Sequence, residues 1–317
     1  MNVNSDSGNV NTDSGKSLKS VHLQPESLFT LNQNGCSRSS GMGVHDGPEY
    51  AEGRSMLNET EKTLLFSTVR IEVTNSGKPG ASVGTGFIVS IPVPGVEGKS
   101  YLFLVSNKHV FIDPDHQISL IFTKKSEGGV GPSLGELTKI SQFNFSKGYV
   151  EHPDPKIDLA CVNMSSFGEP ELGLYFRHYP HDQLGADGPL PISVGHDVFF
   201  VGYPENRFDV AHNLPLLRKG CIASAPNVDF NGEKQFLIDA HVFQGSSGSP
   251  VLAAVNGEYK IVGVISQTMI RNSIVQAIPV GTAPGVQQFI GLGIILKVSL
   301  VHELLEHAAN QISAGTT

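Results

Sequence analysis

The chain has 317 residues, enough for one large β domain with an extension. Its 30 acidic and 22 basic residues leave a net charge of -8, with no long lysine or arginine run, so a phosphate-backbone footprint is missing and nucleic acid is excluded as an expected partner. The 35 glycines and 19 prolines exceed average usage and indicate many turns between short elements, which argues against helical bundles and coiled coils.

The three cysteines, Cys36, Cys161 and Cys221, fit neither a disulfide framework nor a CxxC zinc site. The N-terminal stretch carries no apolar signal-peptide core, and no segment approaches the ~18 consecutive apolar residues of a membrane span. The expectation is a cytoplasmic protein in a reducing compartment, without membrane contact.

In chain order, residues 1–60 stand apart: 24 of them are Ser, Gly or Asn. Such a segment buries too little apolar surface to offset its ordering entropy, so disorder is expected, with Leu28–Leu31 as a short apolar patch able to dock. From about residue 61 the pattern turns to strand alternation, first at Val69–Val73 and Gly84–Ile91. Further strand-like runs are Tyr101–Val105, Ile118–Thr123, Leu159–Val162, Asp197–Val201, Gln235–Ile238, Pro250–Val255, Tyr259–Ile265 and Ile290–Leu296. Asn256-Gly257 is the strongest hairpin signal in the chain. The spacing of Val298, Val301, Leu304, Leu305 and Ala308 predicts one terminal helix. Residues 166–192, rich in Pro and Gly, read as a connection between a first β-barrel over 61–165 and a second barrel with the helix over 193–310. The expected fold class is all-β, two packed antiparallel β-barrels with a C-terminal helix.

Three motifs carry chemistry. Gly245-Ser246-Ser247-Gly248-Ser249-Pro250 lies between two strand-like runs, and glycines allow the tight turn that exposes a nucleophilic oxygen beside converging backbone N–H groups. Taken alone, such a cluster is equally an ordinary turn. Ser106-Asn107-Lys108-His109-Val110 ends a strand and places His109 at its rim, where an imidazole can serve as general base. In Lys156-Ile157-Asp158-Leu159-Ala160 an acid directly precedes an apolar strand, so Asp158 is better placed to orient an imidazole than Asp113, Asp115 or Asp154, which lie among prolines and polar loop residues.

Together with Gly84-Thr85-Gly86-Phe87-Ile88-Val89 and Leu237-Ile238-Asp239-Ala240, these motifs make the stretch from about 61 to 307 resemble the chymotrypsin-fold serine proteases, nearest to their HtrA-type and glutamyl-endopeptidase branches. The resemblance implies a Ser-His-Asp triad of His109, Asp158 and Ser247, an oxyanion hole from the N–H groups of Gly245 and Ser247, and no cofactor or metal. It also implies a peptide or protein substrate bound at His241, Val242, Phe243, Ser266 and Gln267. Three departures stand out. Ser246 occupies the place where digestive-type members carry the acid that a new N-terminus neutralises, no cysteine pairs match those of secreted members, and no PDZ domain is expected after the helix. Control is therefore expected from residues 1–60 or a regulatory protein partner, the alternative being narrow specificity alone.

Basic-specific members need an acid at the pocket floor, where this chain has His241, so Lys or Arg preference is disfavoured. Glutamate-specific members use a histidine on the strand that here reads Gly263-Val264-Ile265-Ser266, and it is absent. His241 either meets a polar side chain of the substrate or is a packed structural residue. Other motifs fail on geometry. No Asp follows Ser247, so the α/β-hydrolase order cannot be completed. Gly98-Lys99-Ser100 lacks the first P-loop glycine. His302 and His307 are five apart on the predicted helix and cannot share the face that HExxH requires. The sequence thus reads as a trypsin-like serine endopeptidase; the alternative is a catalytically inactive protease-fold binding module.

Overall fold

The computed structural model describes residues 57–74, 81–112, 115–143, 145–274 and 285–315. The Leu28–Leu31 patch, Cys36 and Asp113 lie outside them. A helix opens the described chain, α1 (Glu59–Phe66), where the sequence pattern suggests only strands. Its signal was legible: Asn58 Oδ1 accepts from Glu61 N at 2.9 Å and Glu61 Oε2 from Asn58 N at 2.8 Å, a reciprocal cap that satisfies two otherwise orphan donors.

The first half contains β1 (Thr68–Thr74), β2 (Ala81–Pro92), β3 (Ser100–Ser106), the four-residue α2 (Lys108–Phe111), β4 (Gln117–Lys125), β5 (Pro132–Phe143), β6 (Tyr149–Glu151) and β7 (Ala160–Asn163). These strands run in the order β5-β4-β1-β2-β3-β7-β6. Two short strands inside the glycine- and proline-rich 166–192 stretch join the same sheet: β8 (Leu174–Tyr175) pairs with β4, and β9 (Tyr179–Pro180) lies parallel to β2. The second half is a closed six-stranded barrel, β10-β11-β12-β15-β14-β13, built from β10 (Asp197–Gly202), β11 (Leu216–Ile222), β12 (Gln235–Asp239), β13 (Pro250–Val255), β14 (Glu258–Ile274) and β15 (Gly285–Lys297). The chain ends on α3 (Val298–Ser313). Asn256 and Gly257 take positive φ between β13 and β14, the hairpin geometry their types favour. No helix among the described residues is long and apolar enough to cross a membrane.

Strand alternation divides the core. On β2 and β3, Phe87, Val89, Phe103 and Val105 face a cluster shared with the barrel and α3, while Ile88 and Leu104 face a second cluster with Ile71, Val110, Phe111 and Leu120. On β7 the period continues: Cys161 joins the shared cluster, and Ala160 and Val162 join the other. The two halves are therefore welded along one apolar face, so the loops at that seam are held from both sides. β5 lacks a clear apolar alternation because it is an edge strand with little to bury. Burial pushes the Cys161 thiol up, away from reactivity.

Candidate active site at the seam

His109 sits on α2, immediately beyond β3. Asn107 Nδ2 donates to Asp158 O at 2.7 Å and Lys108 Nζ to Pro155 O at 2.7 Å, so the Ser106–His109 segment is clasped onto the loop before β7. Within that clasp His109 N donates to Asp158 Oδ1 at 3.1 Å, and His109 Nδ1 lies 2.6 Å from Asp158 Oδ2. An ionised carboxylate can only accept, so Nδ1 is the donor in this pair, and in the neutral imidazole Nε2 is then the nitrogen with the lone pair. The His109 side chain is 49% exposed and that of Asp158 27%. Asp154 is engaged differently: its Oδ1 accepts from Lys156 N at 2.9 Å and shapes the loop.

Ser247 comes from the barrel. The segment Gln244–Ser249 makes two consecutive turns, and Gly245 (φ +87°) and Gly248 (φ +84°) occupy the left-handed region that side chains avoid. A Cβ at Gly245 would meet Tyr203 O at 2.5 Å, and one at Gly248 would meet Thr85 O at 2.0 Å. Around the half-buried Ser247, backbone donors divide into two sets. Ser246 N donates to Phe243 O, Gly248 N to Ile265 O and Ser249 N to Ser246 O, at 3.0, 2.8 and 3.0 Å. The N–H groups of Gly245 and Ser247 donate to no acceptor among the described residues.

Ser266 joins the two halves of the site. It falls at an irregularity in the β14–β15 register, between Ile265↔Ile295 and Gln267↔Ile294, so it has no cross-strand partner there. Its freed carbonyl accepts from Ser247 Oγ at 3.1 Å and its own hydroxyl lies 3.4 Å from Asp158 Oδ2. One residue thus touches both the serine and the acid. Beyond Val264, β14 has outrun β13, whose pairing begins at Pro250, so the main chain at Ser266–Gln267 presents a strand edge on that side.

The remaining sequence-predicted residues divide. Gln267 and His241 are exposed, the His241 ring lies nearly parallel to that of Phe243 at 6.3 Å, and Arg218 donates to His241 O while stacking over Phe243 at 4.9 Å. Val242 is buried in the shared core. A cavity of about 490 Å³ is lined by Asp158, Ile157, Ser266, Gln267, Lys234 and Glu303 among others. Among the described residues no group of three His, Cys, Asp or Glu is placed to hold a metal, and His302 Nε2 donates to Gly185 O at 2.8 Å as a packed helix residue.

Sequence reasoning missed two contributors. Thr85 is fully buried, and its N–H donates to Ser247 O at 3.0 Å while its hydroxyl donates to Gly245 O at 2.7 Å. The signal was a polar residue between two glycines inside a strand, a pattern of close backbone approach. Glu205 N donates to Gln244 O at 2.6 Å from a turn with φ +49°, and nothing local in the sequence announces it.

An open β-sheet welded to a closed barrel, with Ser247, His109 and Asp158 gathered at the seam, defines a chymotrypsin-like serine-protease fold. The chain belongs to the trypsin-like peptidase domain family, whose model matches residues 84–264, more than half of its length. No curated protein matches it. Two solved structures are similar over 77% of the chain: a serine-to-alanine mutant of Rv3671c from M. tuberculosis H37Rv in its inactive form, with 19% identity, 87% of that chain covered and a TM-score of 0.37, and the thermostable serine protease AL20 from an extremophilic microorganism, with 13% identity, 97% covered and a TM-score of 0.44.

Proposed function

We propose that the protein is a serine endopeptidase. The observation that carries this reading is the pair of Gly245 and Ser247 N–H groups left without acceptors among the described residues beside the Ser247 hydroxyl, while the N–H groups of Ser246, Gly248 and Ser249 are engaged. A substrate oxygen that becomes negative in the transition state would accept from both. A χ1 rotation turns Ser247 Oγ from Ser266 O toward His109 Nε2. The oxygen then attacks the scissile carbonyl carbon, its proton passes to Nε2, and the oxyanion accepts from Gly245 N and Ser247 N. Collapse breaks the C–N bond as Nε2 returns the proton to the leaving amine. Water attacks the acyl-enzyme by the same path in reverse. Asp158 holds the imidazole in the required tautomer throughout.

The substrate is a polypeptide whose main chain adds to the strand edge at Ser266–Gln267, with His241 and Phe243 at the side-chain pocket. The protein acts in the cytoplasm on protein substrates rather than nucleic acid or membranes, and a regulatory partner or residues 1–60 control it. One observation favours the binding-module reading instead: Ser247 Oγ donates to Ser266 O, and no hydrogen bond to His109 is made among the described residues. A fluorophosphonate probe separates the two. Labelling that is lost in Ser247→Ala supports the peptidase, and absence of labelling in the native protein, together with no cleavage of a peptide library, would leave the module.

A further inference from the structure

The orientation of the two free N–H groups has an identifiable cause. The Ser246 side chain does not supply it, because its hydroxyl is buried and has no partner among the described residues. In a trans peptide the C=O and N–H point in opposite directions, so whatever holds a carbonyl also aims the following N–H. Gln244 O is held by Glu205 N at 2.6 Å, which turns Gly245 N–H away from that contact. Gly245 O is held by the Thr85 hydroxyl at 2.7 Å, and Ser246 N–H points back to Phe243 O. Ser246 O is held by Ser249 N at 3.0 Å, which turns Ser247 N–H away from that contact. Ser247 O is held by Thr85 N at 3.0 Å. Of four successive carbonyls, Thr85 holds two and the turn at Glu205 holds one.

Both outside anchors lead to the first sheet. Thr85 pairs directly with Arg70 across β2 and β1. Its hydroxyl spends its single donor on Gly245 O and also accepts from Tyr203 N at 3.1 Å, which together fix its rotamer. Arg70, 6% exposed, reaches the same turn: its Nε donates to Asn206 Oδ1 at 2.6 Å and its guanidinium lies 5.0 Å from the Phe208 ring centroid. Glu205 and Asn206 are consecutive non-glycine residues at φ +49° and +57°, a conformation that persists only when its surroundings enforce it.

We propose that the cross-strand pair Thr85 and Arg70 are positioning residues that aim the oxyanion-hole peptides, Thr85 directly and Arg70 through the Asn206–Glu205 turn. The inference rests on the peptidase reading above and makes the hole depend on how the first sheet docks against the barrel. Removal of a single oxyanion-hole donor in serine proteases costs about 10²- to 10³-fold in kcat, so loss of a tether that aims one should cost about 10- to 100-fold.

Three variants of the full chain test this. Thr85→Val keeps shape and removes the hydroxyl, Thr85→Ser restores it, and Asn206→Gly keeps the left-handed turn while deleting the acceptor for Arg70. The expected kinetics are a kcat lowered by about 10- to 100-fold in Thr85→Val with KM nearly unchanged, recovered most of the way in Thr85→Ser, and a smaller fall in Asn206→Gly. A parallel loss of affinity for a peptide boronate, but not for a non-covalent product peptide, would mark the defect as one of oxyanion binding rather than of folding. The second readout is a crystal structure of Thr85→Val, in which the Gly245 carbonyl should leave its present position. A Thr85→Val loop that superposes on the native one, or a kcat equal to that of the native protein, would overturn the inference. A native protein that never reacts with the probe would sink the peptidase reading, and the crystal structure would still decide the tether.

Discussion

Replacing Gly248 by alanine puts the seam under direct load. Gly248 has φ +84°, and a Cβ there would lie 2.0 Å from Thr85 O and 2.2 Å from Ser106 Oγ. Neither atom can withdraw freely, because Ser106 Oγ donates to Thr85 O at 2.6 Å and Thr85 N donates to Ser247 O at 3.0 Å. The left-handed conformation costs a non-glycine residue about 1–2 kcal/mol. Forfeiting the two hydrogen bonds adds about 1 kcal/mol each, for a total of about 3–4 kcal/mol. In a domain of this size that is a fall in Tm on the order of 10 °C. Gly257→Ala is the control: its φ is +85° but nothing lies within 4 Å of its added Cβ, so only the conformational cost of about 1–2 kcal/mol applies. Thermal and urea unfolding of both variants measures the difference, which isolates the crowding at about 2 kcal/mol. Equal losses in the two variants would refute the idea that the nucleophile loop is wedged against β2, as would native labelling kinetics in Gly248→Ala.

Asp158→Asn should lower turnover by about 10⁴-fold with little change in Tm, because the amide favours the wrong imidazole tautomer. Asp154→Asn should leave turnover near native, and steady-state kinetics on one peptide substrate distinguishes the two. His152 should make stability depend on pH: its ring is buried, its Nδ1 accepts from Asp154 N at 3.1 Å, and burial holds its pKa below the ordinary histidine value despite the nearby Glu303. The unfolded chain therefore binds a proton at pH values where the folded chain does not, so stability is present above about pH 6.5 and is lost as pH falls below it. The stability gap between the native protein and His152→Gln should move in favour of the variant from pH 7 to pH 5, and a constant gap would count against the assignment.

Local chemistry was enough to place the β2, β3 and β7 alternation, the Asn256-Gly257 hairpin and the terminal helix, since each follows from neighbours a few residues away. It also singled out Ser247, His109 and Asp158, because a glycine-flanked serine, a strand-end histidine and an acid before an apolar strand are short-range patterns. The α1 cap was equally local and could have been read from Asn58 and Glu61. Other features needed the folded chain. That His109 and Asp158 meet depends on the Asn107 and Lys108 clasp across separate loops, and the contact of Ser247 with Ser266 depends on a register irregularity in β14. The burial of Val242, the reach of Thr85 to Gly245 O and the left-handed turn at Glu205 are fixed by how the first sheet docks against the barrel. Hydrogen bonds between residues more than a hundred positions apart, and φ values enforced by them, leave no periodic trace in the sequence, so only the tertiary structure could decide them.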